Sequence, residues 1–108
     1  MERVINMTPH DINVLDDHGE IIRTYKVSGK QIRLASDLVK DVPLEDGTPT
    51  VKTIFGDPEG LPEFQEGVFF IVSQMIKNAL PSRTDLLVPA EVVRDGAGAI
   101  IGCKSLSR

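Results

Sequence analysis

Val4, Ile5 and Met7 open the chain with β-branched and apolar residues, and the run stops at Thr8-Pro9-His10-Asp11. Proline holds φ at about −65° and pushes the residue before it into extended geometry, so Thr8-Pro9 marks a strand end or turn. Ile12, Val14 and Leu15 form a second short strand. The polar cluster Asp16-Asp17-His18-Gly19-Glu20 follows, and then Ile21, Ile22, Thr24, Tyr25 and Val27. Strand, glycine-containing turn and strand predict a β-hairpin. Gln31-Ile32-Arg33-Leu34 alternates polar and apolar residues, as a strand with one wet face does. From Ala35 to Thr50 the pattern is mixed. Thr50 to Phe55 reads as a strand, with Val51 and Thr53 on one face, so the Asp46-Gly47 turn could join two strands in a second hairpin.

Gly56 to Gly67 holds three glycines and two prolines and predicts no regular element. Its two prolines limit its freedom, which suits an ordered wall over a core. Val68-Phe69-Phe70-Ile71-Val72 is a continuous apolar run of strand length, the pattern of a strand buried on both faces. Ser73 suits a helix N-cap. Met75, Ile76, Ala79 and Leu80 share one helical stripe before Pro81 ends the helix. Leu86-Leu87-Val88 is again strand-like, and its return beside the 68–72 strand could be parallel or antiparallel. Glu91–Arg94, the turn Asp95-Gly96-Ala97-Gly98 and Ala99–Cys103 predict a C-terminal hairpin. The pattern therefore gives a single β-rich α+β domain over residues 1–108, with antiparallel hairpins and one short helix after a buried strand.

Composition narrows the function classes. In 108 residues, Lys and Arg number 12 against 16 Asp and Glu, a net charge of −4. That balance argues against a general binder of nucleic acid or anionic membranes. No apolar run reaches the length of a signal peptide or membrane span, and the lone Cys103 cannot form an internal disulfide. Both observations predict a cytoplasmic protein.

Five segments together resemble a family of small, uncharacterised phage and bacterial proteins. They are Asn6-Met7-Thr8-Pro9-His10, Gly60-Leu61-Pro62-Glu63, Ile71-Val72-Ser73, Pro81-Ser82-Arg83-Thr84-Asp85-Leu86, and Val93-Arg94-Asp95 with Ile101-Gly102-Cys103. The likeness spans nearly the whole chain. It implies a phage or mobile-element setting in the bacterial cytoplasm, and no catalytic roles. The family often has proline where this chain has Phe64.

Several chemistries lack their parts. The chain has no P-loop, no dinucleotide-binding glycine motif opening a helix after a strand, and no nucleophile elbow, so no cofactor is expected. One cysteine and two histidines fall short of the four ligands of a structural zinc site. What remains is a set of candidate ligand-binding groups. His10 is either a hydrogen-bonding group or base in a pocket, or a structural histidine tying its turn. Thr8 lies beside it. Ser73 caps a helix start, whose free N–H groups would also suit an anion. Arg83, oriented by Asp85, either pairs locally or grips a phosphate or carboxylate through its planar fork, and Arg94 poses the same choice beside Asp95. Phe64 either closes the core or caps a pocket, and Cys103 reads as a small buried hydrophobe.

Two function classes follow. One is a small non-catalytic protein that captures an anionic or nucleotide-like small molecule at Thr8, His10, Ser73, Arg83, Asp85 and Arg94. The other is a protein–protein adaptor or inhibitor of a host protein, bound through the exposed acids and the Gly56–Gly67 loop, for which an exposed apolar patch is the mark to look for. A small hydrolase built on His10 ranks below both, since no nucleophile–base pair or metal set is visible. A homo-oligomer is compatible with either class.

Overall fold

The computed structural model describes residues 2–108. Its strands are β1 (Arg3–Asn6), β2 (Ile12–Leu15), β3 (Ile21–Tyr25), β4 (Ser36–Lys40), β5 (Val51–Phe55), β6 (Val68–Ile71), β7 (Leu86–Arg94) and β8 (Ile100–Ser107). The single helix, α1 (Gln74–Ala79), lies between β6 and β7. The molecule is thus mostly β, with one short helix and antiparallel hairpins. No helix among the described residues is long and apolar enough to cross a membrane.

Six strands form one mixed sheet in the order β1-β6-β7-β8-β2-β3. β2–β3 and β7–β8 are the antiparallel hairpins expected from their turns, whereas β1–β6, β6–β7 and β8–β2 run parallel. The α1 crossover therefore resolves the open choice: β6 and β7 are a parallel pair. Their register sets Phe70 opposite Leu86 and Ile71 opposite Leu87. Side chains alternate across a strand, so Phe70, Val72, Leu86 and Val88 share one face while Ile71 and Leu87 take the other. Both sets are buried. This is what the unbroken apolar run at 68–72 demands. The first face packs on Met7 and on Ile76 of α1. Ser73 caps α1 as expected, accepting a hydrogen bond from the Ile76 N–H at 3.3 Å. Met75, placed in the apolar stripe by the helical period, is instead 55% exposed. A helix of under two turns presents only its one central position fully to the sheet.

The two outer strands of the order are brought together. Asn6, the last residue of β1, bridges Val27 just beyond β3, and Ser28 N–H donates to the Asn6 carbonyl at 3.1 Å. The sheet thus rolls up until its ends meet. Asn6 is buried, and its amide makes all four of its hydrogen bonds. Nδ2 donates to the carbonyls of His10 (2.7 Å) and Tyr25 (2.9 Å), while Oδ1 accepts from Thr8 N–H (2.9 Å) and Thr8 Oγ1 (2.6 Å).

β4 and β5 stand apart as a two-stranded antiparallel arm that joins no other sheet. Its tip is the turn signalled by Asp46-Gly47. Gly47 N–H donates to the Leu44 carbonyl, Thr48 N–H to the Asp46 carboxylate, and Gly47 has φ +88°, which favours glycine. Gln31–Leu34 and Gly56–Glu59, read as a strand and a loop, turn out to be the two sides of the arm's root. They are joined by Gly56 N–H to Ala35 O and by paired hydrogen bonds between Arg33 and Glu59. The arm stretches the molecule to 52 × 39 × 22 Å, with a radius of gyration of 17.3 Å. About 13 Å is usual for a compact chain of this length.

Candidate functional site

The six residues expected to build one anion pocket are separated by the fold. Thr8 and Ser73 do meet: with Met7, Pro9, Gln31, Ile32 and Ile76 they line a cleft of about 230 Å³. No charged side chain lines it, and both hydroxyl groups are engaged. Thr8 Oγ1 donates its one proton to Asn6 Oδ1 at 2.6 Å or to the His10 carbonyl at 2.9 Å, while Ser73 Oγ caps α1. This cleft supplies shape and weak polarity, and no cation to recognise an anion.

His10 lies elsewhere. Its carbonyl serves the Asn6 knot, whereas its residue lines a second cleft of about 330 Å³. Ile12, Pro89, Val92, Ile100 and Ile101 give that cleft apolar walls, with Cys103 among them. A β-bulge explains the neighbouring Ile100 and Ile101. The β7–β8 register passes from Val93↔Gly102 to Arg94↔Ile100, leaving Ile101 as the extra residue, so both isoleucines reach one surface. Burial pushes the Cys103 thiol up from its ordinary pKa, which keeps it protonated and unreactive near neutral pH. As the sequence suggested, it acts as a small buried hydrophobe.

Arg83 and Asp85 line neither cleft. They form a bidentate pair, Nε to Oδ1 at 2.8 Å and Nη2 to Oδ2 at 2.6 Å, and Nη2 also donates to the Pro62 carbonyl at 3.0 Å. Asp85 is 0% exposed. The fork that could have gripped a ligand is occupied from inside the chain, and hydrogen bonding to Asp85 raises the guanidinium pKa further above its ordinary value. The pair is a pin: it fastens the 56–67 segment to the crossover before β7. Arg94 sits at the far hairpin and donates Nη1 to the Gly98 carbonyl at 2.9 Å. Phe64 neither closes the core nor lines these clefts; it is exposed. Among the described residues no cluster of three or more metal-ligating side chains occurs.

The second hairpin expected around Asp46-Gly47 is present as the arm; what the sequence reading passed over is how exposed its apolar residues are. Leu38, Val51 and Phe55 share one of its faces, since their cross-strand partners are Thr53, Lys40 and Ser36. All three are exposed, as are Val39 and Ile54 on the other face and Val42 and Leu44 at the tip; Leu38 reaches 71% and Val42 79%. Phe55 and the exposed Met75 of α1 line a trough of about 430 Å³ at the arm's base. The mixed hydropathy of Ala35–Thr50 was the available signal. It marks apolar residues that no core of this chain absorbs. No family model, curated protein or solved structure matches the chain.

Proposed function

We propose that the chain is a non-catalytic protein-interaction module that engages its partner through the β4–β5 arm. The observation that carries this reading is the cluster of exposed aliphatic and aromatic side chains on an arm with no second layer. A lone two-stranded ribbon is marginal in water and is stabilised by packing against something else. Contiguous exposed apolar surface rimmed by polar residues marks interaction sites. Asp37, Lys40 and Lys52 interleave with the apolar positions, the device by which natural edge strands avoid indiscriminate pairing. Covering a side chain such as Leu38 or Leu44 contributes about 1.5–3 kcal/mol where it was fully exposed before. A handful of these side chains is the scale on which interface hot spots work. The adaptor class foreseen from the sequence placed the contact on exposed acids and the 56–67 loop; the exposed apolar side chains favour the arm instead.

The test is site-specific photo-crosslinking in cells that produce the protein. A photoreactive residue at Leu38 should give a discrete protein adduct, whereas one at the exposed hairpin residue Ala97 should not. An unmodified Leu38 probe, or the same adducts from both positions, refutes the reading.

A further inference from the structure

We propose that the open edge of β5 pairs antiparallel with β5 of a second copy, joining their two-stranded arms into one continuous sheet. The inference rests on the arm being an interaction element, and it adds the identity of the partner. The ladder shows which groups the edge offers. Asp41 N–H donates to the Thr50 carbonyl at 3.0 Å and Gly56 N–H to the Ala35 carbonyl at 2.9 Å, at the two ends of the β4–β5 register. Bonded and non-bonded pairs alternate along an antiparallel ladder, so Val39↔Lys52 and Asp37↔Ile54 are the bonded pairs between these ends. Val51, Thr53 and Phe55 therefore turn their N–H and carbonyl groups away from β4. β5 has no strand on that side, and no other hydrogen bond among the described residues takes those groups up. An exposed apolar edge of this kind is a template for another strand.

The edge is complementary to itself, and this is what points to a second copy. With Thr53 of both chains on a two-fold axis, Val51 lies opposite Phe55 of the second copy and Phe55 opposite its Val51. Every outward-turned residue then exchanges both of its backbone bonds. Aromatic–β-branched and Thr–Thr pairs are favourable cross-strand partners, and on the other face Lys52 meets Ile54 rather than a like charge. Neighbouring registers are worse. A slide of two residues toward the tip sets Lys52 against Lys52 of the second copy. The opposite slide sets Val51 against Asp57 and leaves the Val51–Phe55 pairs unmade. β4 is the poorer edge, since its outward residues are Ser36, Leu38 and the lysine Lys40, whereas Val51, Thr53 and Phe55 are all strand formers. The pairing also carries Pro49 and Thr50 of the second copy past Phe55 to the arm's base, where the trough beside Met75, Asn78 and Ala79 lies. The same edge serves both chains, so the contact is isologous and closes at a dimer.

Sedimentation velocity of the purified chain over a wide concentration range should show a monomer–dimer equilibrium with no larger species. Thr53 is exposed, so a charge placed there is compatible with the fold and meets its own copy across the axis. Thr53→Lys and Thr53→Glu should each be monomeric, with far-UV circular dichroism unchanged. Their equimolar mixture should form a heterodimer, because unlike charges then face each other. Thr53→Cys reads the register separately. Directly opposed bonded residues have Cα atoms about 5.5 Å apart, within disulfide reach, so mild oxidation should link the two copies. Ala97→Cys at the far hairpin should not link, and the native Cys103 is buried. If either charged variant fails to fold, the cysteine pair decides alone. A wild type that stays monomeric or grows beyond a dimer, a single charged variant that still dimerises, a monomeric mixture, or an unlinked Thr53→Cys overturns the proposal. A monomeric wild type combined with a Leu38 crosslink to a different protein removes the self-pairing alone and leaves the arm's role standing.

Discussion

Replacing Arg83 with methionine should destabilise the protein far more than the loss of a surface ion pair. Exposed pairs contribute about 0–1 kcal/mol, because water and salt screen both partners. Here Asp85 is 0% exposed, and Arg83 supplies a donor to each of its two carboxylate oxygens. Removing the cation leaves a buried carboxylate without its charge partner, a change that costs about 3–5 kcal/mol. The Arg83 side chain is 23% exposed, so some water reaches the pair and the lower end is expected, about 3 kcal/mol at pH 7. The Pro62 carbonyl loses a donor as well. For a domain near this size, each kcal/mol lowers Tm by about 4–8 °C, so the shift should exceed about 10 °C. Urea denaturation of both proteins at neutral pH reads the effect. A loss below about 1 kcal/mol would show that Asp85 is hydrated and that the pin is a surface pair.

Four further outcomes follow from the same geometry. Asn6→Ala should cost about 3 kcal/mol in urea melts, since it strands the carbonyls of His10 and Tyr25 at the seam of the rolled sheet; a cost under about 1 kcal/mol would mean that water replaces the amide freely. Gly60→Ala should be clearly worse than Gly29→Ala: both have positive φ, but a Cβ at Gly60 would lie 2.6 Å from the Gln31 carbonyl oxygen, whereas Gly29 has open space. Equal Tm losses would refute that close approach. Glu91, with φ +52° inside β7, inverts the usual strand preference: Glu91→Val should lower Tm and Glu91→Gly should not, although valine is ordinarily the better strand residue. At the arm tip, hydrogen bonds from Thr48 hold the Asp46 carboxyl below its ordinary pKa, so the turn gains stability above the unfolded pKa and loses it as pH falls through the depressed one. The protection of the Gly47 amide, relative to its intrinsic exchange rate at each pH, should fall over that acidic window in the wild type and not in Asp46→Asn.

Much of the fold was legible because its signals are local. Gly19, Gly47 and Gly98 all take positive φ at turns between strands, and the Val68–Val72 run required burial on both faces. The site was legible only in pieces. Arg83 and Asp85 are two residues apart, so their pairing could be read from the chain, but Asp85's complete burial and the reach to Pro62 depend on segments 21 residues away. Thr8 and His10 were singled out for their side chains, yet much of what this segment does is hydrogen bonding around Asn6, with His10 acting through its backbone carbonyl. The arm's hairpin was legible from Asp46-Gly47, but its exposure was not. The alternation of Val51 and Thr53 shows which side chains share a face, and nothing in a period-two pattern says whether a core of the same chain lies against that face.

The root of the arm explains how a ribbon without a core holds its direction. Its strands continue downward through the Ala35–Gly56 and Arg33–Glu59 hydrogen bonds to Gly60, where the chain passes so close to Gln31 that no Cβ fits. Two residues further on, Pro62 is gripped by the guanidinium that Asp85 anchors beside β7. Arm, root, pin and sheet are therefore one mechanical series. Pulling the segment after the root away from the sheet would require breaking a charge-assisted hydrogen bond to a buried pair, which costs more than thermal energy supplies. This arrangement turns exposed apolar surface into a directed one. A flexible tether bearing Leu38 and Leu44 would lose conformational entropy on every contact, whereas a braced ribbon has already lost it on folding. Under the proposed interaction role, the Arg83–Asp85 pair, far from the tip, would act on recognition by keeping the tip pre-oriented.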